Sequence, residues 1–297
     1  MRVLITGASG LLGGRLCDLL SAGHSVTGLI RARPGPAAIA SVGVDLVDAT
    51  AVEAAFALVR PQAIVHCAAL ADAEACERDP ALALRENVEA TRILARACHF
   101  SAARLIAIST DLVFGGEDAF ASETSTPRPL TEYGRSKLAA ESIAITSAAD
   151  AVVLRVALVS GRGFGPRLSS TEGVARSLRA GEPVTLYEDE WRTPVDAESV
   201  ATAIGAVLDR PSVRGCFHIA GSERLTRVQL GERVADVLGS DVSLIRRVSQ
   251  ASHRGAPRPR DVSLDITRAR TELGFSPRPL GLAILQGRIE LSTSAAP

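Results

Sequence analysis

The chain has 297 residues, of which 46% are hydrophobic, and its 33 Lys and Arg residues balance 33 Asp and Glu residues. This length and apolar content predict a globular protein with one large domain or two smaller ones. The formal charge of zero excludes the overall basic field that attracts nucleic acid or an anionic membrane surface. We therefore expect a small-molecule ligand.

The sequence also bears on the compartment. No stretch reaches about 18 uninterrupted apolar residues, the length of a membrane span, and the apolar start RVLITG meets a glycine too early for a signal-peptide core. The cysteines are odd in number and include no C-x-x-C pair, which favours buried reduced thiols and predicts no metal site. We expect a cytoplasmic protein. The cysteines are Cys17, Cys67, Cys76, Cys98 and Cys216.

In the first half of the chain, apolar runs of strand length alternate with longer segments of helical period, a pattern typical of a parallel sheet covered on both faces. Helices are predicted from about Leu11 to Ala22, from Pro80 to about Phe100, and from near Glu132. We therefore predict an α/β fold with a doubly wound Rossmann sheet over residues 1–157. Its strands are RVLIT, HSVTGLI, GVDL, QAIVHC, ARLIAIST and AVVLRVA.

After Ala157 the predicted elements become shorter. Strands are predicted at PVTLY and CFHIAG, and helices near Val174 to Ala180, from about Ala197 to Leu208, and at TRVQLGERVADVLG. They predict a smaller substrate-binding domain over residues 158–297, with some elements returning to the sheet. No low-complexity linker separates the two parts, so we expect them to share one interface. The tail STSAAP is expected to fray.

The motif TGASGLLGG places Gly7, Gly10 and Gly13 directly after the first strand and at the start of a helix. Glycines let the backbone approach a diphosphate, and the N–H groups of a helix start favour that anion. Within a βαβ unit this spacing predicts dinucleotide binding. A turn with glycines for folding alone is the alternative.

The end of the second strand indicates which nicotinamide cofactor binds. An acidic residue there would hold a ribose diol, whereas GLIRARPG carries Arg31 and Arg33, which suit a 2′-phosphate. We therefore expect NADP(H), with NAD(H) as the second possibility. Asp45, after the third strand, is placed to meet the adenine amino group, or else caps a helix.

Tyr133 lies four residues before Lys137 in TEYGRSKLAAE, so both side chains share one face of a helix. A nearby ammonium is expected to lower the pKa of the phenol and make proton transfer feasible near neutrality. The lysine can also hydrogen-bond the nicotinamide ribose. A hydroxyl to orient a carbonyl is supplied by Ser109 or Thr110, at the carboxyl end of the fifth strand, where ligands bind such sheets.

In this order the motifs resemble the extended short-chain dehydrogenase/reductases, and within them the dTDP-4-dehydrorhamnose reductase family. The resemblance covers nearly the whole chain, and the combination of STDLVF with YGRSKLAAE is its most specific part. Further matching blocks are HCAALADAEACE, LRENVEATRILA, LRVALVSG, DEWRTPVDAESVA, CFHIAGSERLTRVQL and RPRDVSLD.

The resemblance implies a catalytic set of Thr110, Tyr133 and Lys137. It also implies contacts to the cofactor along the whole carboxyl edge of the sheet. These fall on Gly7, Ser9, Gly10, Leu11, Leu12, Arg31, Asp45, Leu46, Cys67, Ala68, Ala69, Asn87 and Lys137. From its sequence position alone, Asn87 could instead make a buried structural hydrogen bond.

The segments expected to contact substrate depart from the family pattern. Ala71, Ala73 and Glu74 stand where rhamnose-pathway members commonly have threonine, valine and aspartate. We expect substrate contacts from Asp111, Arg162, Trp191 and Arg192, with Arg155 as a further candidate for a diphosphate. Each has a structural alternative: Asp111 can cap a helix, Trp191 can pack, and the arginines can be solvated or ion-paired.

The expected activity is reduction of the 4-keto group of a nucleotide-activated deoxysugar by NADPH, in a monomer or homodimer. Tyr133 delivers the proton, Thr110 positions the carbonyl oxygen, and Lys137 holds the ribose. The substrate class follows from the resemblance only. The alternatives are a nucleotide-sugar epimerase or dehydratase, a ketoreductase acting on a non-sugar natural product, and a non-catalytic NADP-binding regulatory subunit similar to the methionine adenosyltransferase beta subunit.

Overall fold

A computed structural model describes residues 1–281 and residue 284. The strands are β1 (Arg2–Thr6), β2 (Ser25–Ile30), β3 (Ala40–Gly43), β4 (Ala63–His66), β5 (Arg104–Thr110), β6 (Ala151–Val156), β7 (Val159–Ser160), β8 (Val184–Tyr187), β9 (Trp191–Arg192), β10 (Val195–Asp196), β11 (Gly215–Ile219), β12 (Leu225–Thr226) and β13 (Ile245–Val248). Seven of them form a central parallel sheet with the order β11-β6-β5-β4-β1-β2-β3. This order reverses between β1 and β4, which opens a crevice at the carboxyl edge.

Helices cover both faces of the sheet because the central strands are apolar on both sides. Every residue of β4, β5 and β6 is buried. The helices are α1 (Leu11–Leu20), α2 (Ala49–Val59), α3 (Ala73–Arg78), α4 (Pro80–Ala83), α5 (Ala90–Ser101), α6 (Glu132–Ser147), α7 (Ser170–Arg179), α8 (Ala197–Leu208), α9 (Arg227–Leu238) and α10 (Thr267–Leu273). The predicted α/β class and doubly wound sheet are confirmed.

Two apolar clusters fill the space between the sheet and its helices. On one face, α1, α8 and α10 contribute side chains such as Leu16, Ile204 and Leu273. On the other face, α2, α5 and α6 contribute side chains such as Phe56 and Leu94. The elements α8, α10 and β11 all follow residue 157, so the chain returns to the central sheet after it has begun the second part.

A third apolar cluster lies apart from the sheet and forms the cap. It joins α7, α9, β8 and β13, with Leu178, Leu186, Val234 and Ile245 among its buried members. Short pairings between β9 and β12 and between β7 and β10 connect this cap to the crevice. The cap therefore stands over the carboxyl edge of the sheet.

Two predicted elements differ from the structure. The third strand is Ala40–Gly43 and not GVDL; Asp45 instead lies in the following turn and accepts a hydrogen bond from the Val47 N–H. The long helix predicted from Pro80 is interrupted by a π-helical segment, Leu84–Glu89. The Thr91 hydroxyl donates to the carbonyl of Asn87 and so competes with the regular helical ladder.

No helix in the described part of the chain is long and apolar enough to cross a membrane. The tail expected to fray, STSAAP, lies outside the described residues.

Candidate active site

The backbone of the glycine turn between β1 and α1 is packed too closely to accept residues that carry a Cβ. Gly7 has a φ of +67°, and its carbonyl accepts the Gly10 N–H at 2.8 Å. A Cβ on Gly13 would lie 2.3 Å from the Gly7 carbonyl oxygen. The helix then begins at Leu11 without a side-chain cap, so its first N–H groups remain available to an anion.

The turn opens onto two connected cavities at the carboxyl edge of the sheet. The main cleft, of about 510 Å³, extends from the glycine turn to the cap. The side cavity, of about 240 Å³, extends from the same turn towards β2 and β3. Residues that line both are Gly7, Ser9, Gly10, Arg33, Cys67 and Ala69.

Tyr133 and Lys137 both line the main cleft, from the first two turns of α6. Thr131 caps this helix by accepting the Gly134 N–H at 3.0 Å. A Cβ on Gly134 would lie 2.3 Å from the Leu112 carbonyl oxygen, so glycine lets α6 approach the loop after β5. That close approach brings the phenol next to the end of β5.

The pKa values of the Lys137 ammonium and the Tyr133 phenol are shifted in opposite directions. Burial lowers the pKa of the Lys137 ammonium to about 8, and the neighbouring Glu141 carboxylate opposes this shift. Burial raises the pKa of the Tyr133 phenol, the Asp111 carboxylate raises it further, and a hydrogen bond with Thr110 acts in the opposite direction. The expectation that Lys137 lowers the phenol pKa is therefore wrong for this structure. The phenol keeps its proton across the neutral range.

Thr110 and Ser109 both line the cleft but have different partners. The Thr110 hydroxyl donates to Asp111 at 3.1 Å and accepts the Leu112 N–H at 3.2 Å. The Ser109 hydroxyl donates to the Glu141 carboxylate, which also binds Arg155 through two guanidinium nitrogens. Thr110 is thus the hydroxyl next to the phenol, whereas Ser109 belongs to a buried ion-pair network.

A charged network joins the end of β5 to the cap. Arg192 donates from Nη1 to Asp111 Oδ2 at 3.2 Å and from Nη2 to Glu190 Oε1 at 3.0 Å. Glu190 Oε2 accepts Arg258 Nη1 at 3.0 Å, and Arg227 Nε lies 3.9 Å from Glu190 Oε1. Glu190 is 2% exposed. All five residues line the main cleft.

Most of the residues predicted to contact the cofactor line the two cavities. The main cleft and the side cavity together are lined by Gly7, Ser9, Gly10, Leu11, Leu12, Arg31, Asp45, Leu46, Cys67, Ala68, Ala69 and Lys137. Asn87 differs, because it is fully buried and binds the Leu70 backbone and the Ser136 hydroxyl. It fixes the loop after β4 against α6 and does not line either cavity. Cys67 is partly exposed at the cavities, unlike the buried thiol expected.

The two arginines after β2 are not equivalent. Arg31 is ion-paired with Glu86, with Nη1 2.5 Å from Oε2. Arg33 lines both cavities and has no ion pair with any residue of 1–281. Asp45 lines the side cavity, with Oδ2 3.7 Å from Arg85 Nη2. Arg33 is therefore the cation available to a phosphate at this end.

The residues expected to contact substrate fall into two groups, those that line the main cleft and those that do not. Asp111 and Arg192 line the main cleft, whereas Arg162 and Trp191 do not. The Trp191 ring is covered by the guanidinium of Arg224, at 3.8 Å from the ring centroid. Arg155 is buried against Glu141, so it is a structural arginine. The packing alternative describes Trp191, and the ion-pair alternative describes Arg155.

Sequence reasoning missed four cleft residues with charged side chains. Glu190 stands next to Trp191 in the family-like block DEWRTPVDAESVA, but nothing in that pattern shows that it faces three arginines. Arg227 and Arg258 lie 37 and 68 residues further along the chain than Glu190. Arg167 donates to the Ala71 carbonyl across the cleft. Only the folded topology brings these groups together.

A family model described as the RmlD substrate binding domain matches residues 1–286. The chain belongs to this family. The predicted family is therefore confirmed, and with it the class of NAD(P)-dependent oxidoreductase of the extended short-chain dehydrogenase/reductase type.

Individual proteins agree with the family assignment. A probable low-salt glycan biosynthesis reductase, Agl14 of Haloferax volcanii, is 36% identical, with 93% of both chains covered. The methionine adenosyltransferase 2 subunit beta of Bos taurus is 32% identical, with 93% of this RmlD-family chain and 84% of the relative covered.

Solved structures also agree with the family assignment. A hypothetical dTDP-4-dehydrorhamnose reductase from Sulfolobus tokodaii superposes with a TM-score of 0.83 at 31% identity, covering 94% of this chain and 98% of the other. MoeE5, solved with UDP-glucuronic acid and NAD, superposes with a TM-score of 0.85 at 27% identity, with both chains fully covered.

Proposed function

We propose that this RmlD-family protein is an NADPH-dependent ketoreductase that reduces the 4-keto group of a nucleotide-activated sugar. The observation that carries the proposal is the convergence of Thr110, Tyr133 and Lys137 on one cleft. The other end of that cleft is the glycine turn of a dinucleotide-binding unit. A proton donor, a carbonyl-orienting hydroxyl and a cofactor site are thus parts of one cavity.

The residues present fit a nicotinamide dinucleotide. The turn at Gly7 and Gly13 leaves no room for a Cβ, as a backbone that approaches a diphosphate requires. Arg33, which forms no ion pair within residues 1–281, would bind a 2′-phosphate, and Lys137 would hydrogen-bond the nicotinamide ribose. Asp45 and Leu46 line the side cavity, which would hold the adenine in this proposal. When bound, NADPH supplies the hydride.

The chain's own residues supply the proton and the geometry. The raised pKa of Tyr133 keeps the phenol protonated, so it can donate to the oxygen of a carbonyl that is being reduced. The Thr110 hydroxyl donates to Asp111 in this structure, and it would donate to the carbonyl oxygen when substrate is bound. We expect these roles to account for most of the catalysis.

The sugar-nucleotide class is supported by the family, by the names of the two 31–36% identical reductases, and by the charge of the cleft. Three arginines, Arg192, Arg227 and Arg258, line its cap end. Guanidinium groups suit the oxygens of a diphosphate. The sugar, the stereochemistry of the product and the oligomeric state stay open in this proposal.

The test is a panel of dTDP- and UDP-linked 4-keto sugars, with NADPH or NADH, followed by loss of absorbance of the reduced nicotinamide. We expect stoichiometric consumption with at least one substrate and a preference for NADPH. An Arg33→Gln variant should reduce that preference about tenfold, because a charge-assisted hydrogen bond is lost. Turnover of sugar without net NADPH consumption would instead indicate an epimerase or dehydratase.

A second candidate is favoured by the 32% identity to the methionine adenosyltransferase 2 subunit beta. Such a protein would bind the dinucleotide and a partner without turnover. The two functions separate in one comparison. If NADPH binds but no ketone is consumed, and Tyr133→Phe leaves the cellular role intact, the regulatory function replaces the ketoreductase.

A further inference from the structure

The side cavity brings together charged side chains from three separate segments of the chain. Arg31 and Arg33 follow β2, Asp45 follows β3, and Glu86 belongs to the π-helical segment Leu84–Glu89. All four line the cavity. Two carboxylates therefore face two guanidinium groups where the adenosine half of the cofactor is proposed to bind.

Glu86 is the carboxylate most closely tied to these arginines. Its Oε2 accepts a hydrogen bond from Arg31 Nη1 at 2.5 Å. Its Oε1 lies 3.7 Å from Arg85 Nη1, beyond hydrogen-bond distance. The Glu86 side chain is 16% exposed, so it forms part of the cavity wall. Within residues 1–281, Oε1 accepts no hydrogen bond and is open to a hydroxyl donor.

The backbone next to Glu86 is held in place by buried hydrogen bonds. Asn87 accepts the Leu70 N–H at 2.7 Å and donates to the Ser136 hydroxyl at 2.8 Å. The Thr91 hydroxyl donates to the Asn87 carbonyl at 2.6 Å. These contacts fix the π-helical segment against α6 and the loop after β4, so Glu86 is kept at the cavity.

The position of Glu86 changes what the arginines after β2 can do. In a dinucleotide-binding unit, an acidic residue at the end of the second strand accepts hydrogen bonds from the ribose diol, whereas a basic residue there suits a 2′-phosphate. The residue at that point is Arg31, but Glu86 pairs with it from 55 positions further along the chain. A carboxylate thus reaches the end of β2 from a different segment. Only Arg33 is left there as a cation without an ion pair within residues 1–281.

We propose that Glu86 is a determinant of cofactor choice, which accepts hydrogen bonds from the adenosine ribose hydroxyls of NAD(H) and disfavours the 2′-phosphate of NADP(H). The inference rests on the proposed function for the place of the dinucleotide. It adds a residue to that site and limits the NADPH preference expected from Arg33.

The physical reason is the opposite response of one carboxylate to the two ligands. A carboxylate oxygen is an acceptor and binds a ribose hydroxyl directly. The same negative charge repels a phosphate dianion placed beside it, and discrimination of this kind comes from the repulsive contact as much as from the attractive one. By neutralising Arg31, Glu86 also removes one of the two cations that a 2′-phosphate could use.

The test is calorimetric titration of the full chain with NADP⁺ and with NAD⁺, which differ only in the 2′-phosphate. Glu86→Gln keeps the acceptor oxygen and removes the charge. Glu89→Gln is the matched control, because Glu89 ends the same π-helical segment, pairs with the exposed Arg92 and does not line the side cavity. Arg31→Gln is a second variant, which leaves the Glu86 charge without its partner. Thermal unfolding checks the folding of each variant.

We expect Glu86→Gln to bind NADP⁺ about 3- to 10-fold more tightly, as Arg31 is released and the repulsion is lost. NAD⁺ should bind about 3- to 10-fold more weakly, because the hydrogen bond from the ribose loses its charged acceptor. The ratio of the NAD⁺ and NADP⁺ dissociation constants should therefore rise about tenfold or more. In Arg31→Gln the ratio should fall about tenfold, and in Glu89→Gln it should stay within about twofold. A purely structural defect would weaken both nucleotides alike and leave the ratio unchanged.

The proposal is overturned if the ratio in Glu86→Gln stays within about twofold of wild type or falls, since a rise of about tenfold is expected. If Glu86→Gln does not fold, Arg31→Gln decides, and an unchanged ratio there overturns the proposal. Ketone consumption with an unchanged ratio would refute Glu86 as the determinant and leave the ketoreductase standing. The expected ratios without consumption of any ketone would support Glu86 and refute the ketoreductase.

Discussion

The two ends of the main cleft differ in the chemical groups that line them. At the glycine turn, backbone and small residues form the wall, and the charged side chains are partly exposed; Arg31, for example, has a side-chain exposure of 61%. At the cap end, Glu190 and Arg192 are buried and joined by hydrogen bonds. At the glycine turn, the cleft takes its shape from residues with little or no side chain. At the cap end, it takes its shape from buried charged side chains, each of which needs a partner of opposite charge.

This difference predicts that substitutions at the two ends of the cleft affect different properties of the protein. A change at the glycine turn acts through steric fit, so it should alter cofactor affinity in proportion to the space it removes. A change at the cap end leaves a buried charge without its partner, so it should alter the stability of the whole fold. The following variants test this contrast.

The largest effect is expected for Tyr133→Phe, in the middle of the cleft. Loss of the proton donor should lower turnover about 10²- to 10⁴-fold, while NADP⁺ affinity stays within about twofold of wild type because the phenol contributes mainly to the chemical step. Steady-state kinetics and a binding titration check this. Tyr187→Phe is the matched control, since Tyr187 binds His253 in the cap and does not line the cleft.

Glu190→Gln should have the next largest effect, on stability. The free energy of unfolding should fall by about 3–5 kcal/mol, because the arginines around Glu190 lose their shared counter-charge. Glu86→Gln, which breaks the partly exposed pair with Arg31 at the other end, should cost at most about 1 kcal/mol. Urea unfolding measures both, with the exposed Glu188→Gln as control. Equal losses for Glu190→Gln and Glu86→Gln would contradict the contrast between the two ends.

The contribution of Glu190 to stability should depend on pH as expected for a carboxylate whose pKa is lowered by folding. Burial raises its pKa, but Arg192, Arg227 and Arg258 outweigh burial, so the pKa lies below the usual value of 4.5. Its contribution to stability is therefore present above that value and lost as the pH falls through the lowered pKa. Wild type should lose this contribution on acidification, whereas Glu190→Gln should show no such component.

Gly13→Ala tests the cofactor end. The added Cβ would meet the Gly7 carbonyl oxygen, so the turn or α1 must shift. Overpacking of this kind costs about 1–3 kcal/mol, and we expect NADP⁺ affinity to fall by about the corresponding 5- to 150-fold. Gly23→Ala is the control, because nothing lies within 4 Å of a Cβ built there. Unchanged affinity in Gly13→Ala would show that the turn does not set the cofactor fit.

The smallest effect is expected from pH on cofactor binding. The Lys137 pKa of about 8 lies below its usual value of 10.5. The ammonium that holds the ribose is therefore lost as the pH rises through about 8, and NADP⁺ affinity should fall about tenfold, the worth of a charged hydrogen bond. Lys137→Met should bind more weakly at neutral pH and show no such decline. A decline of the same size in both proteins would assign the titration to another group.

Much of the fold and the cofactor end could be predicted because their signals are local. The glycine turn, the Tyr133–Lys137 spacing and Thr110 are each defined by a few adjacent residues whose geometry follows from helix and strand periodicity. The family model then confirmed the family to which these motifs point. Asn87 shows the limit of motif transfer, since it was predicted to contact the cofactor but lines neither cavity and binds protein atoms.

At the cap end, Asp111 and Arg192 were predicted to contact substrate, but the contacts between the residues there could not be predicted because they join distant segments. Asp111 meets Arg192 across 81 positions, and Glu190 meets Arg258 across 68. Trp191 and Arg192 are adjacent in sequence, yet one packs under Arg224 and the other reaches the cleft, because alternate residues of a strand face opposite sides. The direction of the Tyr133 shift was wrong because burial and Asp111 exceed any effect of Lys137.

The most direct test of the ketoreductase is the fate of the transferred hydrogen. A 4-keto nucleotide-sugar is incubated, in separate reactions, with NADPH that carries deuterium on one face of C4 and with NADPH that carries it on the other face, and the products are examined by mass spectrometry. We expect one deuterium in the product, from one face only, for each NADPH oxidised, and none with Tyr133→Phe over the same period. Tight binding of NADPH with no label in any sugar of the panel would contradict the proposed reaction.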